Sequence, residues 1–73
     1  MDAEILKKRL REGDRLEIHT GGGAFEVWTE PFASPPAIYY EGERYDFKDL
    51  DEVVQRILTQ LREDGVRARW VED

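Results

Sequence analysis

Cysteine and asparagine are absent from these 73 residues, and serine and histidine occur once each, as Ser34 and His19. Without cysteine there is no disulfide, no thiolate metal site and no thiol nucleophile. Without asparagine there is no N-glycosylation acceptor. No apolar run approaches 18 residues, so nothing reads as a transmembrane helix. The first residues, Met1-Asp-Ala-Glu-Ile-Leu-Lys-Lys-Arg9, are charged and form no signal-peptide apolar core. These absences give the expectation of a cytoplasmic protein that does not associate with a membrane.

Charge is what the chain has in excess. Seventeen acids against 11 bases leave a formal net charge of −6, and charged residues reach 38%. Binders of the phosphate backbone usually rest on a basic surface, so this balance makes nucleic acid an unfavoured partner. It favours a protein partner with a basic surface. A chain of this length buries roughly 60% of its unfolded surface, which is enough for one small core. We therefore expect a single domain over residues 1–73.

The clearest periodicity lies in residues 49–65. Leu50, Val53, Val54, Ile57, Leu58 and Leu61 recur at helical spacing. Asp49 and Glu52 have the spacing of a capping box, and Gly65 supplies a stop. A shorter helix reads over residues 2–12, with acids in its first turn, bases after them, and Gly13 at its end. Between the helices, residues 14–30 alternate as a hairpin about Gly21-Gly22, which is expected to form a primed turn. That register opposes Ile18 to Phe25, Leu16 to Val27 and Glu17 to Glu26. Three prolines in residues 31–36 forbid a central strand and mark a rigid loop. Residues 37–47 read as a second hairpin turning at Glu41-Gly42, and residues 66–71 as a last strand with Arg67 and Arg69 outward. The expected fold is α+β, in the order α-β-β-β-β-α-β. Its sheet is mainly antiparallel, with one or two helices on one face. The order is similar to that of double-stranded-RNA-binding domains. The basic start of the second helix that those domains use is absent, since Asp49-Leu-Asp-Glu52 is acidic, and no function is carried over.

Catalytic and cofactor motifs are not found. Gly21-Gly22-Gly23 has neither the dinucleotide fingerprint, because its sixth position is Glu26, nor the Gly-Lys-Ser/Thr of a Walker loop. A Ser-His-acid triad would have to use Ser34, which stands between prolines with no strained turn to expose it. His19 has no dense ligand spacing around it. The expectation is no enzyme, no metal and no cofactor. Two features remain. Trp28 and Tyr39 fall on the sheet face opposite the apolar one, where rings anchor protein interfaces or stack bases. Residues 41–52 gather Glu41, Glu43, Asp46, Asp49, Asp51 and Glu52 against only Arg44 and Lys48.

The expected function is a non-enzymatic protein-binding domain, a small acidic inhibitor or regulator of a nucleic-acid-handling complex, of the phage or anti-defence type. Its partner-binding residues are Trp28, Tyr39, Glu41, Glu43, Arg44, Asp46 and Asp49. One alternative is a single-stranded nucleic-acid module using Trp28, Tyr39, Arg15 and Arg44. Another is an accessory subunit that oligomerises through an edge strand such as residues 66–71. The expected state is a monomer or homodimer.

Overall fold

Each helix start is set by one carboxylate. In the computed structural model, which describes residues 1–72, Asp2 lies extended and its side chain accepts from the backbone N–H of Glu4 at 2.7 Å and of Ile5 at 3.3 Å. Helix α1 (Ala3–Arg11) follows, with Lys8, Arg9 and Arg11 in its last turn, where their charge complements the helix dipole. The second helix departs from expectation. A 3-10 turn, Phe47–Asp49, comes first, and α2 (Leu50–Gln60) continues from it. The capping carboxylate is Asp46, which accepts from Lys48 N–H at 3.0 Å, while Asp49 makes no side-chain cap bond. The reason is conformational. Asp46 is extended (φ −77°, ψ 151°), as a cap must be, whereas Asp49 (φ −98°, ψ 9°) has already turned. The far end also differs, since α2 stops at Gln60 and Gly65 (φ 80°) serves the turn before the last strand.

The strands are β1 (Leu16–Thr20), β2 (Gly23–Glu30), β3 (Ala37–Tyr40), β4 (Glu43–Asp46) and β5 (Arg67–Trp70). They form one five-stranded sheet in the order β4-β3-β2-β1-β5, every pair antiparallel. The first hairpin has the expected register, with Leu16 opposite Val27, Glu17 opposite Glu26 and Ile18 opposite Phe25. The second sets Ile38 opposite Tyr45 and Tyr39 opposite Arg44. The last strand, whose place the chain order left open, pairs with β1 at the sheet edge.

The two hairpin turns exchange roles. Gly21 and Gly22 do not take positive φ; the left-handed value falls on Gly23 (φ 148°). The Thr20 hydroxyl accepts from Gly22 N–H and donates to the Gly23 carbonyl, both at 3.2 Å, so a side chain closes this turn. Glu41 (φ 51°) and Gly42 (φ 80°) are both left-handed, and they form the primed turn.

Both helices cover the same face of the sheet. Leu6 and Leu10 of α1 and Leu50, Val53, Val54 and Ile57 of α2 share one cluster with Leu16, Ile18, Val27, Ile38 and Tyr40. Full burial of each such Leu, Ile or Val side chain contributes about 1.5–3 kcal/mol. Among the described residues, no helix covers the opposite face of the sheet.

Candidate functional site

The bare face is built by strand alternation. Trp28 and Tyr39 are direct partners across β2 and β3. Their rings stack at 4.1 Å between centroids and 10° between planes, and Trp28 remains 39% exposed. The Tyr39 hydroxyl donates to the Glu30 carboxylate, and that bond holds the phenol pKa above its ordinary value. Arg44, opposite Tyr39, donates to the Pro35 carbonyl at 3.2 Å. Arg15 precedes Leu16 and reaches Glu26 at 3.7 Å. A row Arg44, Tyr39, Trp28 therefore crosses three adjacent strands, with Arg15 just before β1. Each ring covers one π face of the other, so a nucleic-acid base has fewer free faces to stack on than two separate rings would offer. Glu17, Glu26 and Glu30 share the surface and oppose phosphate.

The facing pair Glu17 and Glu26 is relieved from both sides. Arg15 meets Glu26, while Arg69 Nε donates to Glu17 Oε1 at 3.0 Å, and the His19 ring hydrogen-bonds the same oxygen. His19 and then Arg69 hold the Glu17 pKa below its ordinary value.

The acidic residues gather elsewhere. Glu41 and Glu43 occupy the β3–β4 tip beside α2. There a groove of about 450 Å³ is lined by Tyr40, Glu41, Glu52, Arg56, Gln60 and Glu63, with Gln55 and Thr59 completing it. The Tyr40 hydroxyl donates to Gln60 Oε1 at 2.6 Å, and Gln60 Nε2 donates to Glu41 at 3.4 Å. Burial pushes the Tyr40 phenol up to about 12, so it stays a neutral donor at physiological pH. Arg56 donates to the Tyr45 hydroxyl at 3.0 Å, which in turn donates to Glu43 at 3.2 Å. Among the described residues, Glu41, Glu43, Asp49, Glu52 and Glu63 have no lysine or arginine within salt-bridge range. Asp51 is held by Lys7 at 2.9 Å.

The seven residues singled out in the sequence thus divide. Trp28, Tyr39 and Arg44 lie together on the bare sheet face. Glu41 and Glu43 lie at the hairpin tip and Asp49 at the start of α2. Asp46 is occupied as the cap of the 3-10 turn. Two features escape the sequence reading. Glu63 joins the groove, and the spacing of 52, 56, 59 and 63 along one helical stripe is the signal that points to it. Phe32, in the proline loop, is 98% exposed, and no periodic pattern marks a loop residue.

No protein-family model matches the chain, and no solved structure matches it. The chain is similar to part of Exportin-T of Podospora anserina, with 33% identity over 64 residues. That match covers 88% of this chain and 6% of the relative, so the chain spans a small fraction of the protein it resembles. Among the described residues, no helix is long and apolar enough to cross a membrane.

Proposed function

We propose that this is a non-enzymatic, cytoplasmic protein-binding domain that docks its acidic flank on a basic protein surface. The supporting observation is the groove between the β3–β4 tip and α2. Glu41, Glu52 and Glu63 line it, and its one cation, Arg56, already donates to Tyr45. Glu41 and Glu63 form no ion pair among the described residues and keep their attraction for an incoming cation, while Glu52 shares the field of Arg56. The net charge of −6 adds long-range steering. A partner that handles nucleic acid fits this chemistry, because its basic groove receives carboxylates where phosphates would otherwise sit. The protein then acts as an inhibitor or regulator.

Reversing Glu41, Glu43 and Glu52 to lysine tests the reading. Affinity purification from the native host with quantitative mass spectrometry should show basic proteins retained by the wild type and lost by the folded triple variant. Retention should fall steeply as salt rises. Equal capture by both proteins would overturn the proposal.

A further inference from the structure

We infer that the bare sheet face is a self-association surface, on which a second copy of this chain packs with Trp28 and Phe32 of each copy covered by the other. The inference does not rest on the acidic groove.

The apolar groups come first. Trp28 (39% exposed) and Phe32 (98%) are two of the few large apolar side chains left in water. Trp28 stands on the open face, and Phe32 stands in the loop that leaves β2 after Glu30 and returns at Ala37, a loop tied to that face through the bond from Arg44 to the Pro35 carbonyl. That loop is held in place. Ala33 N–H donates to the Glu30 carbonyl at 3.3 Å, closing a turn around Pro31-Phe32. Pro31 lies beside Gly13, where an added Cβ would meet its Cγ at 3.9 Å. Arg44 holds the Pro35 carbonyl, and Phe47 N–H donates to that of Pro36 at 3.3 Å. A ring presented by a pre-organised loop loses little entropy when it is buried.

Charge selects the second copy as occupant. Two chains of net charge −6 repel wherever their acids face each other. The bare face is the exception. Strand alternation places Arg15, Arg44, Arg67 and Arg69 on it against Glu17, Glu26, Glu30 and Asp46, four of each sign. Most of these charges are already satisfied by one another or by the backbone, as in Glu17–Arg69, Arg15–Glu26 and Asp46–Lys48 N–H. Two such faces meet without net repulsion. The sheet edges are less suitable. Both edge strands, β4 and β5, have four residues and expose charged side chains, a pattern that blunts strand addition.

Size sets the strength. Five strands about 4.8 Å apart, each presenting roughly five residues at about 3.3 Å, span on the order of 400 Å² per copy. The two copies together then bury about 800 Å², less than a standard specific interface, so the dimer is a weak and transient one that forms at high protein concentration. Face-to-face sheets would lie about 10 Å apart.

Sedimentation equilibrium of the full chain, from about 5 µM to about 500 µM in low and high NaCl, tests the inference. The mass should rise from 8.6 kDa toward twice that value. Added salt should tighten the dimer, because it screens repulsion between two acidic chains. This is opposite in sign to the effect expected for capture of a basic partner. Trp28→Ala and Phe32→Ala should each weaken association about tenfold or more, and the double variant should stay monomeric with an unchanged circular dichroism spectrum. The triple lysine reversal, which brings the formal charge to about zero at two units per substitution, should lose partner capture yet dimerise more tightly. A wild type that stays monomeric at high salt overturns the inference. So does a dimer that Trp28→Ala and Phe32→Ala leave intact.

Discussion

The hydroxyl of Thr29, on β2, donates at 2.7 Å to the backbone carbonyl of Leu10, in the last turn of α1. Thr29 is the buried polar residue of the core, and its bond joins the sheet to a helix 19 residues earlier in the chain. Thr29→Val keeps the shape and removes the donor. The expected loss is about 1 kcal/mol, which in a domain this small lowers Tm by roughly 4–8 °C. Thr29→Ser should retain more stability than valine if the hydroxyl matters. Equal melting of the valine variant and the wild type would remove the bond from the account of stability.

Glu41 occupies a left-handed conformation (φ 51°) that asparagine and glycine adopt at lower cost. Replacing it with asparagine should raise stability by about 0.5–1 kcal/mol in urea unfolding. A fall in stability would mean that its bond with Gln60 outweighs the backbone strain.

The two helix-start aspartates should separate cleanly. Asp46→Ala removes a formed cap and should cost about 1 kcal/mol. Asp49→Ala removes no cap bond, so its effect should stay within about 0.5 kcal/mol. Thermal melts of both variants compare them directly, and the reverse order would restore Asp49 as the cap.

Glu17 makes the acid side of the stability profile sensitive to one site. Its carboxyl pKa is lowered by His19 and then by Arg69. A folded-state pKa below the unfolded value gives stability that is complete above the ordinary carboxylate value of 4.5 and lost as pH falls through the lowered one. NMR titration of the Glu17 carboxyl should show a midpoint below 4.5 that rises in His19→Gln and in Arg69→Gln. Glu17→Gln should flatten the acid limb of stability below that pH. A midpoint unmoved by either partner substitution would show that these bonds do not hold the charge.

Much of this molecule was readable along the chain because its signals are local. The alternation of Leu16–Thr20 against Gly23–Trp28 contains the register of the first hairpin, since a two-residue turn leaves one pairing that keeps Leu16, Ile18, Phe25 and Val27 on one side. The opposition of Glu17 to Glu26 and the outward placement of Arg67 and Arg69 followed from the same alternation. Capping was misplaced by three residues. Asp46 and Asp49 are chemically identical candidates, and only backbone dihedrals distinguish an extended residue from one that has turned. The glycine-rich turn misled for a related reason. Composition says which residues tolerate left-handed φ, but the Thr20 hydroxyl bonds decide which residue must adopt it.

Element order, strand faces and the apolar stripe of α2 are all legible in the chain alone, because period and alternation are properties of near neighbours. It took the packed molecule to pair β5 with β1, to lay both helices on one face, and to put Glu41 and Glu43 of the hairpin tip on a different surface from the rings. Those outcomes depend on contacts between residues far apart in the chain, such as Glu17 with Arg69 and Glu41 with Gln60. No local pattern encodes them, because burial of the shared core selects them only when all the elements are present together.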